Sequence, residues 1–453
     1  MKYFVVFYIP FLVSFVSCGD SFLEAKPDKA LVVPKTLDDY QAILDDVNQQ
    51  INQSPGLMEA SIDDYIVKED GLNMISEDVR NAYLWNREGL VALESHYDWN
   101  RLYAQVLRAN LVLEGLQEIR PEQEENRYRE IKGAAYFFRA WHFFNLLQVY
   151  SAPYDSQTAN TDLGIVLKLS ADVNEHIGRS TVEMCYAQIL DDLENAILLL
   201  PSTSFVASRP NLVAAYGLLA RVYLSRFDYV HTERYARSAL DIKNNLLDFN
   251  DVGTIFPDPL LVGNDEVLFH SIPILQASSL IRNAIIDPNL VNLYDEGDLR
   301  KTKFLKFDDA GNAQINRTYF GSTVAPYSGL TTSEMYLVLA ESLTQLDRLN
   351  EAMDVLNALR KTRFDKTVSY VNLEAQNKED ALVHIYKERR QELVFRGLRW
   401  YDLRRLNKDP QFSTTLVRIY NGTTYTLKPD SEFYCFPIPR NELLYNLDLS
   451  LDN

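Results

Sequence analysis

Apolar residues recur at spacings of three and four along much of this chain, the period of helices that bury one face. Leu102, Val106, Ala109, Leu113 and Leu116 make one such stripe, closed by Pro121. Residues 127–150 make a second, in which Ala134, Ala135 and Ala140 alternate with Phe138, Trp141, Phe144 and Leu147, as close helix–helix packing requires. Further helices are predicted over 181–200, which ends at Pro201, and from Pro210, where a missing N–H costs nothing at a helix start. Thr36 followed by Asp39 predicts an N-terminal cap for a helix through Tyr40, Ile43 and Leu44.

Two later stretches repeat one another. Residues 333–363 carry Ala340, Leu343, Ala352, Leu356 and Leu359, and residues 211–242 carry Ala220, Tyr223, Ala236 and Ala239 at matching offsets, with Thr232 at the remaining position. Small residues let antiparallel helices approach, and larger ones fill the seam to the next pair, which is the logic of a tetratricopeptide (TPR) hairpin. Period fades over 246–330, where Gly and Pro appear. Short strands are expected at 266–269 and 303–307, with a turn at Asp308-Asp309-Ala310-Gly311-Asn312. Residues 64–98 read as loop with short helical pieces, and 151–179 as loop. The expected fold is therefore mainly α: TPR-like hairpins forming a scaffold, with loops and a few short strands inserted.

The N-terminus changes the picture of where the protein works. Lys2 precedes an apolar run, Tyr3 to Val16, too short to span a bilayer comfortably, and the run ends at Ser17-Cys18-Gly19. This predicts a lipoprotein signal peptide over 1–17, lipid on Cys18 and a tether over 18–35. Cys185 and Cys435 are far apart and expected to be buried thiols. The formal net charge of -18 argues against nucleic acid as a partner. Aromatics make up 12% of the chain, enough to supply flat faces for sugar rings once the core is filled.

Catalytic chemistry is not encoded in any recognisable motif. The histidines (His96, His142, His176, His231, His270 and His384) include no pair at the spacing of a helical metal site. There is no Cys-x-x-Cys, nucleophile elbow or phosphate loop. No cofactor and no metal site are expected, and the reading is of a binding protein rather than an enzyme.

Several segments together carry a family resemblance. Cys18 to Glu24 with Lys26-Pro27-Asp28, then Thr36-Leu37-Asp38-Asp39-Tyr40, resemble the mature start of SusD/RagB lipoproteins. The run from Glu388 to Arg405, with Glu-Arg-Arg-Gln-Glu-Leu, Gly397 and Trp400-Tyr401-Asp402-Leu403-Arg404-Arg405, is the strongest match, and Phe433, Phe436-Pro437-Ile438-Pro439 and Glu442 resemble the C-terminal segment. Arg396 stands where the family often has an acidic residue, and the tail from Leu444 lacks the usual Asn-Pro and Gly. The Arg-rich run reads as a structural clamp, since Glu388, Glu392 and Asp402 can pair its guanidinium groups.

The resemblance implies a single SusD-like domain over 36–453, with TPR-like units near 127–150, 181–243, 331–363 and 380–407 and an irregular insertion near 246–330. It implies a lipid-anchored outer-membrane protein facing the cell exterior. Such a protein captures an oligo- or polysaccharide, or a peptide, for a SusC/RagA-like TonB-dependent transporter. The loop-rich stretches then offer Tyr83, Trp85, Trp99, Asn100, Tyr294, Tyr319 and Tyr327 as candidate ligand-binding residues, while Trp141 and Trp400 are assigned to packing. The alternative is a TPR-like scaffold for assembly of an outer-membrane complex.

Overall fold

The helices start where side-chain oxygens can take up unpaired backbone N–H groups. Our computed structural model describes residues 34–46, 51–120, 124–253, 264–282, 284–319, 321–322 and 325–450. Cys18, the signal segment and the tether up to residue 33 lie outside the described residues. Thr36 opens α1 (Leu37–Leu44) with the expected capping box, its Oγ1 accepting from the Asp39 N–H at 3.2 Å and Asp39 Oδ2 accepting from the Thr36 N–H at 3.0 Å. Thr181 caps α4 (Val182–Leu199), Asn211 caps α5 (Leu212–Ser225) and Thr331 caps α7 (Thr332–Gln345), each with its side-chain oxygen accepting from the N–H three residues on. Pro210 therefore precedes the cap rather than starting the helix, because Asn211 can accept from the Ala214 N–H, at 2.9 Å, and a proline ring cannot.

The remaining long helices are α2 (Tyr97–Gly115), α3 (Glu125–Tyr150), α6 (Tyr229–Ile242), α8 (Leu349–Lys361), α9 (Lys378–Glu392) and α10 (Arg399–Leu406). Each from α2 to α8 packs on the next, so the chain winds as a stack of antiparallel hairpins. The repeat read from sequence is the pair α5–α6 and the pair α7–α8. Ala220, Thr232, Ala236 and Ala239 in one, and Ala340, Ala352, Leu356 and Leu359 in the other, are fully buried in the seams. Both hairpins turn on a non-glycine residue with positive φ, Phe227 at 60° and Asp347 at 61°, which hold the same place in the two units.

Between α6 and α7 the chain forms short strands: β3 (Val267–Phe269), β4 (Ile272–Pro273), β5 (Ala284–Ile286), β6 (Leu305–Phe307) and β7 (Ala313–Ile315). β6 and β7 close the predicted Asp308–Asn312 turn, in which the Asp308 N–H donates to the Asn312 carbonyl at 3.0 Å. Residues 303–304 belong to a short helix, Arg300–Phe304, and not to the strand. β4 pairs in parallel with β1 (Gln53–Ser54), and β5 pairs antiparallel with β2 (Tyr65–Val67), so the insertion is stitched to the N-terminal loops. An unpredicted hairpin, Leu416–Tyr420 with Thr423–Leu427, turns on Asn421 (φ 48°) and Gly422 (φ 71°).

The Arg-rich run clamps these layers together. Glu392 takes Arg363 at 2.8 Å and Arg300 at 3.1 Å, and Arg363 also pairs with Glu266 at 2.8 Å, all buried. Asp402 joins Arg389 at 2.8 Å and Arg405 at 2.9 Å, while Asp63 takes Arg390 and Arg399, each at 2.7 Å. The two arms meet at Gly397, whose φ of 68° excludes an ordinary side chain, and a Cβ there would lie 3.0 Å from that of Ser328. Cys185 and Cys435 are both free. Cys185 is buried, its thiol pushed up to about 11 by loss of solvent.

Candidate functional site

The N-terminal half of α2 forms one wall of an open cleft of about 470 Å³. The opposite walls are the loop between α3 and α4 and a C-terminal helix, Arg440–Tyr445. The loop is held to α2 by hydrogen bonds that fix its backbone: the Tyr103 hydroxyl donates to the Val166 carbonyl and accepts from the Val166 N–H, both at 3.0 Å, and Asn110 Nδ2 donates to the Lys168 carbonyl at 2.9 Å. The C-terminal segment is held in turn by Asn446 Nδ2 donating to the Ile177 carbonyl and by the Asn441 N–H donating to the Glu94 carbonyl, both at 3.0 Å. The site is thus assembled from three parts of the chain far apart in sequence.

Its lining mixes aromatic and polar side chains with aliphatic ones, among them Leu107, Val173 and Leu449. Trp99 forms the floor, its ring 4.6 Å from Tyr103 and edge-on to Tyr150 at 4.9 Å. Its indole N–H bonds Glu442, whose carboxyl is raised by burial and pulled back down by that bond. Asn100 and His176 are exposed at the mouth, and Tyr445 stands out with 78% of its surface open. Lys168 is neutralised by Glu175 at 2.9 Å. Such a lining suits a neutral ligand with C–H faces for the tyrosine and hydroxyls for the polar groups. Among the described residues there is no cluster of three His, Cys, Asp or Glu side chains that could hold a metal ion.

The other sequence-derived candidates lie elsewhere. Trp85 lines a second cleft of about 500 Å³ beside the Leu416–Leu427 hairpin, with its indole N–H donating to the Ser61 carbonyl at 2.9 Å and its backbone at φ 54°. The Arg418 guanidinium lies 4.4 Å from its ring centre and 3.7 Å from that of Tyr83. Tyr83 is buried, and its hydroxyl accepts from the Val67 N–H at 2.9 Å. Tyr294 is buried and donates to the Gln391 carbonyl at 3.1 Å. Tyr319 and Tyr327 are buried side by side under Arg396, at 4.0 and 4.9 Å, with the Tyr319 hydroxyl donating to Glu266 at 2.6 Å. The Arg at position 396 thus has a local purpose: two tyrosine faces and the Thr331 hydroxyl, at 2.8 Å, receive it. Trp141 and Trp400 are buried in packing, as expected.

Trp99 and Asn100 are therefore the candidates that one open cleft brings together. Tyr103, His176 and Tyr445 complete it and were not singled out in sequence. Tyr103 repeats the helical period from Asn100 and could have been found that way. Tyr445 lies in the tail that departs from the family pattern, and nothing local marks it.

A stack of helical hairpins carrying loop-built clefts is the architecture of a binding scaffold, and the comparisons with known proteins give it a family. A family model described as "Starch-binding associating with outer membrane" matches residues 21–224, and one described as "SusD family" matches residues 302–451. The chain belongs to the SusD/RagB family. SusD-like protein P2 of Formosa agariphila is 23% identical, with 100% of this chain and 99% of that protein covered. Among solved structures, a SusD superfamily protein from Bacteroides fragilis is similar at a TM-score of 0.74 and 22% identity, covering 92% of this chain and 100% of the other. A SusD-like carbohydrate binding protein from Bacteroides vulgatus gives a TM-score of 0.71 at 21% identity, covering 93% and 98%.

Proposed function

We propose that this protein is a cell-surface lipoprotein of the outer membrane that captures a glycan, in preference to a peptide, and passes it to a SusC/RagA-like TonB-dependent transporter. The family description supports outer-membrane association and starch-type binding, and the B. vulgatus relative is described as carbohydrate binding. The observation that carries the glycan part is the open cleft itself, in which exposed Tyr445 faces exposed Asn100 and His176 over a Trp99 floor. Hydrogen bonds to sugar hydroxyls can replace water there, and the tyrosine face can take the C–H side of a ring.

Affinity electrophoresis tests the site. Migration of the protein through gels containing its polysaccharide is expected to be retarded, and Tyr445→Ala is expected to weaken binding about tenfold, the loss of roughly 1.4 kcal/mol of ring stacking. Unchanged retardation in that variant would move the site elsewhere. The anchor is tested separately by Cys18→Ala, which is expected to move the protein from the membrane to the soluble fraction with its fold intact.

A further inference from the structure

A hollow of about 40 Å³ opens between the end of α9 and the start of α10, and its lining shares no residue with the α2 cleft. The guanidinium groups of Arg389, Arg390 and Arg399 line it, against the carboxylates of Asp64 and Asp402. Leu393 and Leu406 supply the apolar part of the wall.

Most of this charge is paired. Asp63 takes Arg390 and Arg399, each at 2.7 Å, and Asp64 lies 3.2 Å from Arg390. Asp402 takes Arg389 at 2.8 Å and Arg405 at 2.9 Å, and Arg405 pairs a second time with Glu341. One donor is left over. The Arg389 side chain is 4% exposed, and its Nε donates to both Asp402 oxygens, at 3.0 and 2.8 Å. Its Nη1 is buried and has no hydrogen-bond partner among the described residues. A buried guanidinium N–H without an acceptor is costly, and an anion is the acceptor that relieves it best, because the three guanidinium groups around the hollow all attract it. A single water needs only about 10–15 Å³ of such space, so the hollow admits something larger.

Asp64 decides when an anion is favoured. Burial pushes its carboxyl up to about 6, Arg390 and Arg399 oppose the rise, and Asp63 and Asp287 add to it. Glu59, itself raised to about 8, also faces it. With all three aspartates ionised, Asp63, Asp64 and Asp402 balance Arg389, Arg390 and Arg399, while Glu341 balances Arg405. A proton on Asp64 leaves one positive charge in excess.

We propose that this hollow is an anion site, taking one small monovalent inorganic anion of the chloride type against Arg389 Nη1 and so tying α9 and α10 to the stretch before β2. Uptake of the anion is coupled to uptake of a proton by Asp64, and binding tightens as pH falls through about 6.

Thermal unfolding of the mature chain tests it, with chloride replacing gluconate at fixed ionic strength, at about pH 5 and about pH 7.5. At the lower pH the melting temperature is expected to rise by about 2 °C between about 1 mM and about 200 mM chloride, and by less at the higher pH. Arg389→Gln is expected to lose that rise. Because this substitution also takes a partner from Asp402, a second variant, Leu406→Phe, narrows the hollow while leaving every ion pair in place, and it is expected to lose the rise as well. Crystals soaked in bromide are expected to show anomalous scattering within hydrogen-bond distance of Arg389 Nη1. A melting temperature indifferent to chloride overturns the site, even where bromide appears in the crystals, since that is binding at crystal concentration only. A rise that both variants keep, or one without bromide in the hollow, places the anion elsewhere and overturns it too. A larger rise at the higher pH overturns the coupling to Asp64.

Discussion

Buried charge is the strongest constraint at the scale of single residues. Glu59 lies wholly inside the protein with neither carboxylate oxygen hydrogen-bonded among the described residues, and burial lifts it from an ordinary 4.5 to about 8. The folded chain therefore keeps a proton that the unfolded chain releases. The stability this gives is complete below the unfolded value and is lost as pH rises through about 8. Glu59→Gln is expected to flatten this dependence and to be the more stable form by roughly 3 kcal/mol near pH 8, as read by urea unfolding across about pH 5 to 8. Arg418 shows the opposite case, a buried cation satisfied by carbonyls: Nη1 donates to Ala60 at 3.1 Å and to Tyr83, and Nη2 donates to Ile62. Arg418→Leu leaves those carbonyls unpaired, and we expect a loss of about 3 kcal/mol by the same measurement. Neither residue was legible as special in the sequence, because a buried acid or arginine looks like a surface one until its neighbours, here hundreds of positions away, are known.

At the scale of elements, what could be read was what is local. The Thr36 cap, the stripes of α2 and α3, and the paired hairpins α5–α6 and α7–α8 all follow from spacings of a few residues, and each forms. The short strands were only partly legible, since Gln53 finds Ile272 and Tyr65 finds Ile286 across long stretches of chain, and two or three residues carry no period. The hairpin at 416–427 carries a local signal, Asn421-Gly422 between alternating residues. The TPR-like turns offer an element-level prediction. Asp347 is exposed and held at φ 61°, a conformation that costs an L-residue about 1 kcal/mol. Asp347→Gly is expected to raise stability by about 0.5 kcal/mol, less than the full relief because glycine is freer when unfolded. A lowered melting temperature would show that the aspartate, 3.5 Å from Lys378, contributes more than its backbone costs.

At the scale of the whole molecule, the helical stack is a platform and the α2 cleft is the proposed cargo position. Trp99 and Asn100 pointed to it because they begin a helix after a loop. Tyr445 and His176 could not, because the cleft exists only once α2, the loop after α3 and the C-terminal helix are brought together. Among the described residues no helix is long and apolar enough to cross a membrane, and attachment through Cys18 is the proposed alternative. The net charge of -18 adds a prediction about cargo: sulfated or uronic polysaccharides should bind more weakly than neutral ones at low salt, and the gap should narrow as salt is added.

The most direct measurement is hydrogen–deuterium exchange of the mature chain with and without a saturating glycan that it binds. Glycan capture in the α2 cleft predicts protection in three separated stretches, at the start of α2, in the loop before α4 around Lys168 to Ile177, and in Arg440–Tyr445. Protection confined to the segments around Tyr319 and Tyr327, or around Trp85, would contradict the placement of the site.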